Sequence, residues 1–214
     1  MHGRLGRGVA LGPNWIGSGD APGARSVQSE SYKVKLGVFF ERDGILNRVR
    51  VERQRQIGPL TLDEFHVHQE VAPQLRRLKA AGFVLLATTH QPGLSRGYQS
   101  RRELELMHHL LRRVLPLDDI LVCPHDETDR CRCRRPGEGL LREASFAWQL
   151  NLDRSFVISD KWQDAEAARQ AGCTSLMMAS PWLGSAHHDL ILPTLESAVE
   201  KILQWQTVNG PVYA

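Results

Sequence analysis

The sequence predicts an α/β fold in which helices cover both faces of a doubly wound, mostly parallel sheet. The first observation is that short apolar runs alternate with longer amphipathic segments along the chain. The second is that these apolar runs are nearly continuous, as is typical of strands buried on both faces. The third is that several runs end in charged or polar residues, and sheets of this class bind ligands beyond the carboxyl ends of their strands.

Each predicted strand is a short apolar run, and each predicted helix has apolar residues three or four positions apart. The strands are expected at 35–40, 83–89, within 118–125, and at 155–160 and 173–179. The helices are expected at 69–81, 101–115, 138–151, 164–172 and 194–206. We expect one α/β domain over 34–206, a disordered leader over 1–33 that is rich in Gly, Arg and Ser, and a tail over 207–214.

Composition and charge exclude several classes of function. Of the 214 residues, 42% are hydrophobic and 24% are charged, as in globular proteins that do not enter membranes. A net charge of +3 suits an anionic small molecule but is too small to indicate nucleic-acid binding. The apolar runs are too short to span a bilayer, and the leader lacks the continuous apolar stretch of a secretory signal. We therefore expect a cytoplasmic protein without a membrane or nucleic-acid partner.

Three predicted strands end in residues that suit a phosphate and a divalent metal. These ends are Glu41-Arg42-Asp43, Thr89-His90-Gln91 and Asp160-Lys161. The carboxylates of Glu41 and Asp160 are oxygen ligands of the kind that Mg²⁺ prefers, and Asp43 offers a carboxyl group for proton transfer. Thr89 offers a hydroxyl group, and Arg135 a forked cation, to phosphoryl oxygens. Together these groups predict phosphoryl transfer through a carboxylate nucleophile.

Four soft metal ligands lie close together in the second half of the sequence. They are Cys123, His125, Cys131 and Cys133, in the pattern Cys-x-His, five residues, Cys-x-Cys. Three thiolates and one imidazole complete a tetrahedral zinc site without an open position, which indicates a structural role. Because no secretory signal is present, a metal site is favoured over disulfides. Cys173 begins a predicted strand, and we expect it to be a buried apolar residue.

Four segments resemble, in order and spacing, the motifs of phosphatases of the haloacid dehalogenase (HAD) superfamily. They are "FFERDGILN", "ATTHQPGLSRG", "CPHDETDRCRCRRP" and "VISDKWQDAEAARQAG". They are most similar to the capless branch that holds the heptose-bisphosphate and histidinol-phosphate phosphatases. "GLSRG" is closer to the heptose enzymes, whereas the spacing between His125 and Cys131 is closer to the histidinol enzymes. The resemblance implies a Mg²⁺-dependent phosphatase of a heptose bisphosphate with an acyl-phosphate intermediate and a zinc loop at the substrate entrance.

The resemblance also implies roles for individual residues. The catalytic residues would be Glu41 as nucleophile, Asp43 as acid and base, and Thr89 and Arg135 as phosphoryl-binding groups. The magnesium ligands would be Glu41, Asp43 and Asp160. The residues expected to contact the substrate are Asn47, His90, Gln91, Arg134 and Lys161.

Two positions depart from the pattern of this superfamily. Glu41 stands where the family has Asp, and its extra methylene moves the carboxylate about an ångström, a misplacement that can lower a rate on the order of a hundredfold. Arg135 stands where the family has Lys, and its guanidinium is planar and bulkier. One hypothesis is that the two changes compensate in an active phosphatase. The alternative is that Glu41 and Arg135 form an ion pair that blocks the site, in a relative that binds a phosphorylated ligand or a partner. A zinc-stapled scaffold without a ligand would leave Asp43 and Asp160 unexplained.

The remaining histidines, tryptophans and arginines suggest no further site. We expect the histidine pairs at the surface or in loops; they are His66 and His68, His108 and His109, and His187 and His188. Trp148 and Trp162 are expected to pack in the interior. The arginine-rich segment that begins at Arg48 predicts a solvated loop, the alternative being contact with the distal part of an anionic sugar.

Overall fold

The computed structural model describes residues 34–185 and 187–209; the predicted leader over 1–33 lies outside the described residues. The strands are β1 (Gly37–Glu41), β2 (Arg50–Glu52), β3 (Arg55–Ile57), β4 (Val84–His90), β5 (Asp119–Cys123), β6 (Phe156–Ser159), β7 (Thr174–Met178) and β8 (Leu190–Leu192). The helices are α1 (Val71–Ala80), α2 (Arg101–Val114), α3 (Gly139–Trp148), α4 (Trp162–Ala171) and α5 (Leu195–Asn209). All predicted strands and helices are present, and β2, β3 and β8 are additional.

Six strands form one parallel sheet in the order β5-β4-β1-β6-β7-β8. The chain starts at the centre with β1, moves outward through β4 and β5, and then returns to the other side of β1 with β6, β7 and β8. This order confirms the predicted doubly wound fold. Strands are added first on one side of β1 and then on the other, so that a crevice opens at the carboxyl ends of β1, β4 and β6. Ligands bind at this point in folds of this class.

The core lies on both faces of the sheet. Val38 and Phe40 of β1 pack in a cluster with α1, α2 and α5, whereas Phe39 points the other way and packs with α3 and α4. All three side chains are fully buried, because side chains of a strand alternate between the two helix layers. Burial of one such side chain contributes about 1.5–3 kcal/mol. The buried β1 therefore fixes the position of the polar residues that follow it.

An antiparallel hairpin of β2 and β3 replaces the solvated loop predicted for the arginine-rich segment. Its turn residues, Arg53 and Gln54, have φ values of 47° and 62°, as two-residue turns between twisted strands require. The Trp182 indole donates a hydrogen bond from Nε1 to the Gln54 carbonyl oxygen at 3.2 Å. The hairpin is thereby tied to the loop after β7, and this long-range contact is not visible in the local sequence pattern.

The last helix runs past the domain end predicted at residue 206. Helix α5 continues to Asn209 because the first helix-breaking residues after 206 are Gly210 and Pro211. The helical segment therefore extends into the tail predicted over 207–214. Within 34–185 and 187–209, no helix combines the length and the apolar character needed to cross a bilayer.

Candidate active site

The side chains predicted at the ends of β1, β4 and β6 meet at one edge of the sheet. Asp43 Oδ2 lies 3.5 Å from Thr89 Oγ1, and Lys161 Nζ is hydrogen-bonded both to the Asp43 carbonyl oxygen at 2.6 Å and to Asp160 Oδ1 at 2.8 Å. Glu41, Asp43, Thr89 and Asp160 are all buried. We call Glu41, Asp43 and Asp160 the carboxylate centre. The predicted catalytic and magnesium-binding side chains are thus brought together, because parallel strands end on the same side.

Glu41 lies between two cations. Its side chain is 1% exposed, Oε2 is in direct ionic contact with the Arg135 guanidinium, and Oε1 is 3.5 Å from Lys161 Nζ. Among the described residues, neither oxygen accepts a hydrogen bond. Arg135 also donates to Asp164 Oδ2 at 2.8 Å. The ion pair that the sequence leaves open is therefore present, and Arg135 bridges two acidic side chains.

Asp43 is held as a carboxylate by its neighbours. Arg42 donates from Nε to Oδ1 and from Nη2 to Oδ2, each at 3.0 Å. Asn47 donates to Oδ1 at 3.0 Å and Gln91 to Oδ2 at 2.7 Å. Burial alone would raise the pKa of Asp43, but Arg42 and these amide hydrogen bonds outweigh burial and hold that pKa below its ordinary value. Asn47 and Gln91, predicted to contact the substrate, are both buried and bound to Asp43.

Arg42 is a buried residue for which the sequence predicts no role. Its side chain is fully buried, its Nη1 is 3.1 Å from His108 Nε2, and its guanidinium lies 5.5 Å from the centre of the Phe65 ring. Because arginine only donates, Nε2 of His108 accepts, which places the imidazole proton on Nδ1. The prediction that His108 lies at the surface is wrong, since it shares the buried face of α2 with Leu104 and Leu111. The helical spacing of these three positions could have indicated that His108 is buried.

The oxygens around Lys161 fit a divalent metal. The ammonium nitrogen lies among the Asp43 carbonyl oxygen, Asp160 Oδ1 and Glu41 Oε1, at 2.6, 2.8 and 3.5 Å. Carboxylate and carbonyl oxygens are the ligands that Mg²⁺ takes from proteins, with water and phosphate in its remaining positions. Burial and the nearby Arg135 lower the pKa of Lys161. The residues present therefore suit a magnesium ion close to the place that this ammonium group takes.

Two further residues predicted to contact the substrate, His90 and Arg134, contact the segment 123–133, which holds the four predicted soft ligands. His90 Nε2 is 2.9 Å from the carbonyl oxygen of His125. Arg134 donates to Glu127 Oε1 at 2.7 Å. Burial lowers the pKa of His90. Both side chains connect the end of β4 and the segment after Cys133 to residues 123–133.

The four predicted soft ligands converge. The ligand atoms of Cys123, His125, Cys131 and Cys133 all lie within 4.8 Å of one another. Cys123 Sγ is 3.7 Å from Cys131 Sγ and 3.8 Å from His125 Nδ1, which is 3.2 Å from Cys133 Sγ. Ligands at zinc-binding distances around a tetrahedral ion are roughly 3.3–3.8 Å apart. The residues of this Cys/His loop, 123–133, therefore fit one tetrahedral metal ion. Cys173 is buried in the core, as predicted.

Comparisons with known proteins place the fold and these motifs in one family. The HAD-hydrolase-like family profile matches residues 132–192. D-glycero-beta-D-manno-heptose-1,7-bisphosphate 7-phosphatase of Pseudomonas aeruginosa is 31% identical over 146 residues, which cover 66% of this chain and 79% of that protein. The chain belongs to the HAD-like hydrolase family. D-glycero-D-manno-heptose-1,7-bisphosphate 7-phosphatase of Thermosynechococcus vestitus is 30% identical over 191 residues, covering 77% and 94% of the two chains.

A solved structure shows the same fold as this HAD-like hydrolase. The crystal structure of D,D-heptose 1,7-bisphosphate phosphatase from B. bronchiseptica, complexed with magnesium and phosphate, has a TM-score of 0.68 and 24% sequence identity. The match covers 79% of this chain and 99% of that chain. The family assignment agrees with the resemblance seen in the sequence. The ion pair of Glu41 and Arg135 joins the two positions at which this HAD-like hydrolase departs from the expected motif.

Proposed function

We propose that this HAD-like hydrolase is a Mg²⁺-dependent phosphatase of a sugar bisphosphate, with heptose-1,7-bisphosphate as substrate. The observation that carries the proposal is the carboxylate centre, in which Glu41, Asp43 and Asp160 meet beside two cations. Buried carboxylates and fixed cations at the switch point of a doubly wound sheet are the groups that phosphoryl transfer to a carboxylate needs. The names of the relatives support the choice of substrate.

The reaction assigns one step to each carboxyl group. A Glu41 oxygen attacks phosphorus, the ester P–O bond breaks, and the leaving sugar oxygen takes a proton from Asp43. Asp43 then accepts a proton from water, whose oxygen attacks the same phosphorus; the bond from phosphorus to Glu41 breaks and inorganic phosphate leaves. The lowered pKa of Asp43 suits the second step, whereas the first requires that Asp43 has taken up a proton. Thr89 donates to a phosphoryl oxygen, and Arg135 balances its charge.

Two metals have separate roles in this proposal. Glu41, Asp160 and the carbonyl oxygen of Asp43 would hold magnesium, which would supply charge neutralisation at the phosphoryl oxygens. Zinc fills the Cys/His loop and has a structural role, because the four protein ligands leave no open position. Three thiols in a metal loop require reducing conditions, which supports a cytoplasmic location.

The magnesium assignment is tested by calorimetric titration of Mg²⁺ into the native chain and the Asp160→Asn variant. We expect Asp160→Asn to bind Mg²⁺ at least about tenfold more weakly, because it removes a charged oxygen ligand. Asp153→Asn, which changes an exposed acid at the amino end of β6, is the matched control and should bind normally. Equal affinity in all three proteins would contradict the assignment of Asp160.

The contact between Glu41 and Arg135 favours a second candidate function, a relative that binds a phosphorylated ligand without turnover. In this ion pair the carboxylate expected to attack phosphorus already has a cationic partner and is almost completely buried. Separating a buried pair leaves one charge uncompensated unless another group replaces its partner. A phosphoryl group could bind Arg135 in exchange, and the length of Glu41 then decides whether attack follows.

Phosphate release distinguishes the two functions. The native chain, Glu41→Asp and the double variant Glu41→Asp/Arg135→Lys are assayed with heptose-1,7-bisphosphate and Mg²⁺. Turnover by the native chain supports the phosphatase. An inactive native chain with an active Glu41→Asp or double variant supports the binding function. Inactivity in all three overturns the proposed substrate, and histidinol phosphate, assayed in parallel, tests its alternative. Glu105→Asp shortens an exposed acid on α2 and should leave the native rate unchanged.

A further inference from the structure

A cavity lies next to the carboxylate centre. It has a volume of ≈ 460 Å³ and lies among the β2–β3 hairpin, the start of α4 and the loop after β7. The residues that line it include Arg55, Gln56, Lys161, Trp162, Gln163 and Trp182. Gln56 and Lys161 both donate to the Asp160 carboxylate, at 2.5 and 2.8 Å. The cavity therefore adjoins the place where phosphoryl transfer is proposed.

Two indole rings line this cavity. Trp162, predicted to pack in the interior, is instead 40% exposed. Trp182 is fixed at both ends, since its Nε1 binds the Gln54 carbonyl and its own carbonyl oxygen accepts from the Trp162 backbone nitrogen at 3.3 Å. A large apolar ring that stays exposed beside a polar cavity offers a flat surface to a ligand. Such a surface suits the C–H face of a sugar ring.

Arg55 supplies a cation to the same cavity. It is exposed at the start of β3, and within the described part of the chain it has neither an ion pair nor a hydrogen-bonded side-chain partner. Arg50, on the opposite strand of the hairpin, instead lies within ion-pair distance of Glu52 and Glu64. A guanidinium group without an internal partner binds phosphate or carboxylate through two parallel hydrogen bonds. The cavity thus combines a surface for a sugar with a free group for an anion.

We infer that this cavity is the subsite for the leaving group, where Trp162 contacts the sugar and Arg55 binds a second phosphate. The inference rests on the proposed function and identifies the side chains that distinguish a sugar bisphosphate from a monophosphate. The volume agrees with this assignment, because pockets for small molecules usually measure about 300–1,000 Å³. The cavity lies beside a phosphate bound at the carboxylate centre, because Gln56 and Lys161 line the cavity and also contact Asp160.

Calorimetric binding of three probes tests the subsite: D-glycero-D-manno-heptose-1,7-bisphosphate, D-glycero-D-manno-heptose 7-phosphate and inorganic phosphate, each with Mg²⁺. All proteins carry Glu41→Gln, which removes the attacking carboxylate so that the probes persist. Arg55→Gln should weaken bisphosphate binding about tenfold, or about 1.4 kcal/mol, and leave the other probes unchanged. Trp162→Ala should weaken both sugar probes equally and spare inorganic phosphate.

Matched controls separate the subsite from general effects. Arg53→Gln removes a cation at the tip of the same hairpin, and Phe146→Ala removes an aromatic ring that is 91% exposed on α3; neither should change any affinity. If Arg55→Gln behaves like Arg53→Gln, or also weakens inorganic phosphate, the subsite is wrong while the phosphatase proposal stands. The native chain is titrated with inorganic phosphate and Mg²⁺ as a reference, because Glu41 is itself a proposed magnesium ligand. If neither the native chain nor the Glu41→Gln parent binds a probe, both proposals fail.

Discussion

The Cys/His loop and the carboxylate centre lie at the same edge of the sheet but are assembled differently. The loop takes all four ligand atoms from one short segment, residues 123–133. The carboxylate centre depends on contacts between distant parts of the chain, such as the bond from Lys161 to the Asp43 carbonyl across 118 positions. Short-range ligand spacing can therefore be recognised in the sequence, whereas the pairing of charges depends on how the whole domain packs.

The two regions also differ in how their charge is compensated. In the loop, the three sulfur ligands and one imidazole have no Lys, Arg or other cation among the contacts that the described residues give them. In the carboxylate centre, Arg42, Arg135 and Lys161 are in ionic contact with the acids. We therefore expect the loop to depend on a metal ion for its stability, and the carboxylate centre to lose stability when one of its internal cations is removed.

Removal of a loop ligand should have the largest effect. We expect Cys133→Ala to bind no zinc and to have a markedly lower free energy of unfolding. The binding of structural zinc contributes about 10–16 kcal/mol in small zinc domains. Zinc content is measured by mass spectrometry and stability by urea unfolding. Cys173→Ala removes a thiol from the core rather than from the loop, so it should keep zinc. Retention of zinc by Cys133→Ala would contradict the assignment of this ligand.

Removal of an internal cation from the carboxylate centre should have the next largest effect. Arg42→Met leaves the Asp43 carboxylate buried without its bidentate partner, and breaking a buried pair in this way costs about 3–5 kcal/mol. The free energy of unfolding in urea measures this loss. Arg48→Met is the matched control, because Arg48 is exposed and its loss should change stability by less than about 0.5 kcal/mol. Similar values for the two variants would show that the pair does not stabilise the fold.

The same comparison explains how much could be predicted from the sequence. The apolar runs located every strand of the parallel sheet except β8, and polar residues after them located the candidate site. The hairpin of β2 and β3 was missed because its residues are mostly polar and have no apolar alternation. Its position depends on a distant indole group, that of Trp182.

The role of Arg42 was missed for a related reason. Between Glu41 and Asp43 it is part of a charged stretch, which is typical of a solvated turn. In the folded chain, Phe65 and His108 of α2 pack against its guanidinium group, which is fully buried. The opposite error was made for Trp162, an aromatic residue that was expected in the interior but is partly exposed beside a cavity. Burial of polar groups is a tertiary property, so local patterns predict it poorly.

The smallest predicted effect is a pH dependence of stability, which tests the contact between Arg42 and His108. Because His108 Nε2 accepts from Arg42, protonation of the imidazole breaks this contact and places two cations together. Burial, together with Arg42 and Arg112, lowers the pKa of His108 to about 3. Its pKa in the unfolded chain is about 6.5, so the unfolded chain binds one more proton between these values. Stability from neutral His108 is therefore complete above pH 6.5 and declines as pH falls below that value.

The variant His108→Gln keeps an acceptor for Arg42 but cannot take up a proton in this range. We expect the native chain to lose about 1.4 kcal/mol more than His108→Gln when the pH is lowered from 7.5 to 5.5, as measured by urea unfolding at each pH. His109→Gln is the control, because its exposed neighbour position should leave the native pH dependence unchanged. Parallel losses in the native chain and His108→Gln would mean that His108 is not held neutral. The charge network of the carboxylate centre would then extend to Arg42 but not to His108.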